Sequence, residues 1–519
     1  MTAPGKLESG PLVVAVDSST QSTKAILVDT AGTVWATAKR SIPLQTPAMD
    51  FYEHDPKLWW ETTRDTIGEV LATLSQKDRD RVEAIGLTHQ RETFAPFTAS
   101  GEPLGPGILW LDGRAVDQIA KYGSAHIHEL SGKPAGVTPA IYKMAWVSEN
   151  APERFEKADK IVDVLGYIVF NLTGEWLSST AAADSLGLFD VNSRTWSAEL
   201  LDIAGVREDQ MSTLIPPATP MATLRKELRE EWQLTREIPI IAGLGDGQAA
   251  GIGAAAVDPG VGYLNMGTAV NAGVESSSYI YDPAFRTHVS GIPGNYVLEV
   301  LQSSGSYLAD WARTTFADPE NPNAGVAWDD EAASQVPPGA EGLVTLPYWN
   351  AVQSPYWDAM ARGAIIGWRG VHGRSHLYRS VMESICFEMR RNLDTIESAS
   401  GVPITELRIM GGGTRSPLWR QMMADITALP LTVCVADEVS ALGAAVLAMA
   451  GVDAHAGKLP DGSPDVATSA KAMATFGETI EPHTEHAETY RQIGAVQARL
   501  YPALKELFAE LDTIVRKGE

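Results

Sequence analysis

Asp246 is the carboxylate whose neighbours are most suited to chemistry. It stands in IAGLGDGQAAGIG, residues 241–253. An apolar run (238–242) leads into glycines, and a small-residue run (249–256) follows. That order predicts a strand, a tight turn and a helix, with Asp246 at the mouth, where loops on a rigid scaffold carry function. Such an acid either caps its helix or acts on a bound ligand. A second acid, Asp17, ends the apolar run 12–16 and opens the stretch Asp17-Ser18-Ser19-Thr20-Gln21. Apolar runs at 23–28 and 34–38 follow, separated by Asp29-Thr30-Ala31-Gly32. A hairpin of that kind puts an acid, hydroxyls and backbone donors on one loop, which suits a phosphate chain with its metal ion. An ordinary polar hairpin has the same look. Two further apolar runs, 82–87 and 108–111, end in Thr88-His89-Gln90-Arg91-Glu92 and Asp112-Gly113-Arg114. Read as strand ends, they deliver Arg91, Glu92, Trp110, Asp112 and Arg114 to the place where open α/β sheets bind ligands. The bland alternative for Arg91 and Glu92 is a surface ion pair of little worth, but apolar residues flank them on both sides.

These groups need a scaffold of strands and helices to hold them. Asp55-Pro56 opens a helix whose apolar face comprises Trp59, Trp60, Ile67, Val70, Leu71 and Leu74. Residues 115–200 read as mostly helical, and 216–220 as a loop before the strand leading to Asp246. From residue 262 the opening logic recurs: an apolar run (262–266), Gly267-Thr268-Ala269, and another run (270–274). A long helix is predicted over 377–398. Then come a strand (406–410), the glycine loop Gly411-Gly412-Gly413-Thr414-Arg415, a helix (418–427), a strand (431–435) and a small-residue helix (440–450). Strand, glycine loop and helix N-terminus bring backbone N–H groups to an anion. A polar amphipathic helix from about residue 488 closes the chain. The expected architecture is α/β: two actin-like (ribonuclease H-like) ATPase halves, residues 1–255 and 256–519, with nucleotide and substrate in the cleft between them.

Composition limits the partners. The chain has 519 residues, too many for one core. Its formal charge of −24 argues against nucleic acid and anionic membrane, which need a basic footprint. No apolar run is long enough for a bilayer. Residues 1–11 read as a polar leader without the apolar core of a signal peptide. Cys386 and Cys434 are the two cysteines, in no metal or disulfide spacing, and are expected to be buried free thiols. A cytoplasmic protein follows, with its oligomeric state open and a homodimer admissible.

Longer motifs carry a resemblance. Residues 143–150 (KMAWVSEN) are similar to the first signature of the FGGY carbohydrate kinases, departing from it at Ala140. Residues 363–367 (GAIIG), His376-Leu377 and 380–384 (SVMES) are similar to the second, departing at Trp368. Leu346-Pro347-Tyr348, Ala361-Arg362-Gly363 and the stretch from Gly411 through Ser416, Trp419 and Gln421 to Asp425 also match in family order. The resemblance spans about residues 12–451. It implies transfer of a phosphoryl group from ATP, with Mg2+, to a hydroxyl of a sugar or polyol. It implies that Asp17, Thr20 and Gln21 face metal and phosphates, with Asp17 the metal ligand. Gly267 and Thr268 would hold phosphates from the other half, and Gly412, Gly413 and Ser416 would border the adenosine. Asp246 would be the general base, a recurring part of phosphoryl transfer, and a helix N-terminus favours the carboxylate form a base needs.

Arg91, Glu92, Trp110, Asp246 and Gln248 are the candidate substrate residues. Arg91, Glu92 and Trp110 are similar to the glycerol kinase pattern. Three positions depart from it: Gly247 where Gln is usual after the catalytic Asp, and Thr138 and Asn271 where aromatics are usual. Less bulk predicts a wider, more polar pocket and an acceptor longer than glycerol. A pentulose of the xylulose type leads, then a tetritol or pentitol, then glycerol. The rivals are a non-catalytic actin-like scaffold or regulator, which would not need Arg91, Glu92, Trp110 and Asp246 together, and a sugar phosphatase or simple NTPase.

Overall fold

The computed structural model describes residues 10–316, 326–457 and 462–516. Most of the polar leader lies outside them. Strands β1 (Leu12–Ser18), β2 (Ser22–Asp29) and β3 (Val34–Ser41) form an antiparallel meander. Helix α1 (Lys57–Ala72) follows, its first N–H donating to Asp55 Oδ1 at 3.0 Å. Strand β4 (Val82–His89) then pairs parallel with β1. A largely helical excursion contains α2 (Ala140–Asn150). The chain returns as β5 (Pro220–Thr223), β6 (Pro239–Gly245) and α3 (Asp246–Gly253). The six strands lie in the order β5-β6-β4-β1-β2-β3.

The second half repeats the plan. Strands β7 (Val261–Met266) and β8 (Val270–Ser276) make its opening hairpin. Strands β9 (Arg286–Val289) and β10 (Tyr296–Gln302) extend the sheet beyond it. After α4 (Arg374–Ser400) come β11 (Glu406–Met410), α5 (Pro417–Thr427), β12 (Leu431–Cys434), α6 (Val439–His455) and β13 (Phe476–Ile480). The sheet order is β9-β10-β8-β7-β11-β12-β13. Reading outward from each first strand, both sheets run hairpin on one side and two parallel neighbours on the other, ending in an antiparallel edge. A last helix, α7 (Leu500–Arg516), packs on the outside with Tyr501 and Phe508 inward.

Burial on both faces explains the continuous apolar runs. In β1, Leu12, Val14 and Val16 pack with Trp59, Ile67 and Leu71 of α1. Val13 and Ala15 point the other way, to Ala444, Leu447 and Ala448 of α6. So a helix from late in the chain covers the sheet of the first half. It also crosses α3 at backbone contact: a Cβ on Gly443 would lie 2.0 Å from the Ala249 carbonyl oxygen. Only small residues permit that approach, and both helices are rich in them.

Some expectations change. The run 108–111 is strand only at Gly107–Ile108, because Leu109 and Asp112 close a turn with an N–H···O bond of 3.1 Å. Between residue 220 and β6 the chain adds β5 and a short helix, Lys226–Glu231. Among the described residues Cys386 is a buried free thiol, while Cys434 is free but half-buried. No helix of the described residues is long and apolar enough to cross a membrane.

Candidate active site

Three cavities adjoin one another, the first two between the halves and the third within the second half. The first, of about 250 Å³, is walled by Arg91, Glu92, Trp110, Asp246, Gly267 and Thr268, among others. The second, of about 320 Å³, takes in Asp17, Lys24, Gly411, Gly412 and Glu438. The third, of about 820 Å³, is bordered by Gly412, Gly413, Ser416, Tyr378 and Trp419. Ala250, Asn265 and Ser440 are shared by the first two, and Gly412 by the last two. Strand ends and helix starts line this path because β1, β6, β7 and β11 all finish here. The first cavity is smaller than a drug-sized site of about 300–1,000 Å³ and suits a small polar molecule. The third has room for a nucleoside.

Asp246 is the first residue of α3 and its Oδ1 accepts from the N–H of Gly247 at 2.8 Å. Arg91 Nε donates to the same oxygen at 3.1 Å. The remaining arms of Arg91 reach Glu299 on β10, at 3.1 and 3.2 Å. Glu299 also accepts from Arg286 Nε at 2.7 Å and from the Tyr263 hydroxyl at 2.6 Å. Arg286 Nη1 then donates to Glu92 Oε1 at 2.8 Å. Arg91 and Glu92 are therefore not a surface pair; each bonds to a group of the second half. Burial alone would raise the Glu299 carboxyl, but Arg286 and Arg91 outweigh it and hold the group near 2. His288 sits behind, kept neutral by burial and by Lys133, Arg91 and Arg286. Its Nε2 accepts from Arg91 at 3.1 Å, and its Nδ1 faces Asp184 at 3.1 Å. Glu92 holds a positive φ of 62°, unusual for a residue with a Cβ and of the kind that collects at functional sites.

Gln248 does not face the cavity. It is 1% exposed, and its amide donates to the carbonyls of Ala181 and Val289 while its oxygen accepts from Arg91. It braces Arg91 from behind. Gly247 does not widen the wall either. A Cβ there would come within 2.6 Å of Arg91 Nη2 and 2.7 Å of Glu299 Oε2, so the space is filled by this ion cluster. Thr138 and Asn271 do line the cavity. Lys143, fully buried, donates to the carbonyls of Val137 and Thr138 at 2.7 Å and of Trp110 at 3.4 Å, clamping two wall loops together. Burial lowers its ammonium to about 8, against the pull of Glu92 and Asp112. Asp112 and Arg114 pair with each other at 2.8 Å and with the backbone of Tyr52 and with Glu53, which makes them structural.

On the phosphate side, Asp17 is 7% exposed and its Oδ1 has no hydrogen-bond partner. Burial and the facing Asp246 raise its carboxyl to about 7. An orphaned buried carboxylate oxygen beside a second carboxylate fits a divalent cation. Among the described residues no group of three or more His, Cys, Asp or Glu forms a cage, but Mg2+ needs only one or two carboxylates alongside phosphates and waters. Thr20 and Gln21 stand at the hairpin tip, outside the cavity walls. Thr20 Oγ1 accepts from the Trp110 indole at 3.0 Å, and Gln21 is exposed. Ser416 caps α5 by accepting from the Trp419 N–H at 3.0 Å and donates to Asp330.

Glu299, Arg286, Asp330 and Ser440 went unnoticed in the sequence. A signal existed for Glu299: a lone acid within YVLEVLQ, a strand otherwise apolar, is buried only when paired.

Residues 12–253 match the model of the FGGY family of carbohydrate kinases, N-terminal domain, and residues 262–452 match that of the C-terminal domain. A glycerol kinase of Leifsonia xyli subsp. xyli is 31% identical over 460 residues, 84% of this chain and 88% of its own length. A xylulose kinase of Escherichia coli is 29% identical over 444 residues, 84% of this chain and 89% of its own. A solved structure described as a xyloylose kinase from Brucella ovis aligns with a TM-score of 0.88 at 27% identity, over 96% of this chain and 100% of that one.

Proposed function

Since this chain belongs to the FGGY family of carbohydrate kinases, we propose that it phosphorylates a pentulose of the xylulose type. That it is an ATP-dependent kinase of a sugar or polyol follows from the family; the pentulose is the finer reading. The observation that carries the reading is the position of Asp246, in a small polar cavity and facing Asp17 of the adjoining one.

In this reading an acceptor hydroxyl lies against Asp246 Oδ2, since Oδ1 is taken by Arg91 and Gly247. Asp246 accepts its proton as the phosphoryl group arrives, and the Arg91 contact fixes which way the carboxylate faces. Phosphoryl transfer is mostly positioning and electrostatics, so the rigidity of Arg91, held by Glu299 and Gln248, is the chain's main contribution to the acceptor side. Gly267 and Thr268 supply the wall between acceptor and phosphates. Mg2+, held by Asp17, would neutralise the charge of the phosphates. Glu92 and the wall residues Thr138 and Asn271 bind the other hydroxyls, and the Trp110 ring covers a C–H face. The polar side chains at 138 and 271 favour an acceptor with more hydroxyls than glycerol, and a tetritol or pentitol is the second reading on the same ground. The proposed compartment is the cytoplasm.

Coupled ADP release over a panel of ketoses and polyols tests this, with Asp246→Asn alongside. Turnover is expected with a pentulose and to fall at least about 1,000-fold in the variant, with ATP binding kept. Efficient turnover of glycerol with ketoses and longer polyols inert would overturn the pentulose, and surviving turnover in the variant would remove Asp246 as base.

A further inference from the structure

We propose that Arg286 is a specificity-determining residue: it binds the acceptor oxygen remote from the reacting hydroxyl and restricts the site to neutral acceptors longer than three carbons. The inference rests on the kinase reading above.

Asp246, Arg91, Glu299, Arg286 and Glu92 form a chain of charge-assisted hydrogen bonds along one wall of the acceptor cavity. Glu92 follows Arg91 in sequence, so the chain closes into a ring. Arg286 touches neither Asp246 nor Arg91; it enters the ring on the far side of Glu299. It comes from β9, the outermost strand of the second sheet, yet it lines the cavity beside Asn271 and Leu301. An arginine only 3% exposed, pointed across from the other half of the molecule, is an expensive way to fill a wall.

Its donors are partly spent. Nε and Nη2 face Glu299, and Nη1 faces Glu92. A guanidinium has five N–H groups, so donors remain for a neutral oxygen. Its charge, by contrast, is already matched by two carboxylates, as is that of Arg91 by Glu299 and Asp246. The wall therefore offers directed N–H groups without a free positive charge. A hydroxyl or carbonyl oxygen gains from such a wall, while a carboxylate meets Glu92 and Glu299 and finds no unpaired cation. On this proposal a three-carbon acceptor held at Asp246 does not reach Arg286, and the contact discriminates by length.

Full-length wild type, Arg286→Lys and Arg286→Gln are assayed by ADP release against glycerol, a tetritol, xylulose, an analogue of the best acceptor lacking the hydroxyl remote from the phosphorylated carbon, and an aldonate of equal length. Melting temperature and calorimetry with ADP report folding. Wild type should show a KM at least tenfold higher for the deoxy analogue than for its parent, and no turnover of the aldonate. Arg286→Gln should raise the KM for the long acceptor at least tenfold more than the KM for glycerol, and leave the KM for ATP unchanged. Arg286→Lys should recover part of the loss. Equal KM for parent and analogue in wild type overturns the proposal without any variant. So does a loss in Arg286→Gln that is the same for every acceptor, which would make the residue merely structural. If wild type phosphorylates no sugar or polyol, the kinase reading itself fails instead.

Discussion

Asp17 links the chemistry of one residue to the stability of the whole. Its carboxyl is raised from 3.8 to about 7 by burial first and by Asp246 second. The native chain therefore keeps a proton that the unfolded chain has lost. Stability of the ligand-free protein must fall as pH rises from about 4 to about 7, and level off above that. The shift corresponds to an effect on the order of 4 kcal/mol. Urea unfolding of wild type and Asp17→Asn at pH 5, 6, 7 and 8 should show the difference between them growing in favour of the variant; parallel curves would contradict it. Gly247 makes a second residue-scale prediction. Ala there would put a Cβ 2.6 Å from Arg91 Nη2, forcing that arm off Glu299 and its Nε off Asp246. Gly247→Ala should lower kcat/KM about 10- to 100-fold and, because a buried ion pair is disturbed, lower the melting temperature as well. The same residue marks what the sequence could and could not say. That Gly247 lacks bulk was legible; that Arg91 and Glu299 fill the gap was not, because the filling groups lie far away in sequence and no local pattern joins them. Asp246, Arg91 and Glu92 were legible because each ends an apolar run beside glycine or hydroxyl residues. Gln248 packs against Arg91 inside the protein, and adjacency to Asp246 in sequence does not say which side of a helix faces the cavity.

At the scale of elements, the strands were readable where both faces are buried, since such strands carry unbroken apolar runs. The hairpins β1–β2 and β7–β8 and the strand, glycine loop and helix of β11–α5 were found that way. Residues 109–111 show the limit: they are as apolar as a strand, but the Asp112 carboxylate organises a turn. Helix α6 shows another. A helix that is small and apolar all round must be buried, but nothing in its own residues names the sheet it will cover. Its crossing with α3 gives a test. A methyl on Gly443 would meet the Ala249 carbonyl oxygen at 2.0 Å and cannot be absorbed without parting the helices. Gly443→Ala should destabilise by about 1–3 kcal/mol or more, although alanine is the better helix former. A melting temperature at or above wild type would mean that the helices slide freely past each other.

For the whole molecule, the two sheets share one order of strands, and the path from acceptor to nucleoside runs where their ends meet. The ion ring around Glu299 and the wall supplied by α6 both cross between the halves, so the acceptor side is assembled from the full chain. This has a consequence for anyone who would divide the protein. Cut between residues 255 and 256, the first fragment keeps Asp17, Arg91 and Asp246 but loses Ala444, Leu447 and Ala448, leaving Val13, Ala15 and Ile241 bare. Expressed by itself it should aggregate, because that face is a contiguous apolar patch. Expressed together with residues 256–519 it should be rescued, and the pair should copurify through a tag on either piece. The protein is thus repeated in its plan but indivisible in use: each half keeps a complete sheet, yet neither keeps its cover.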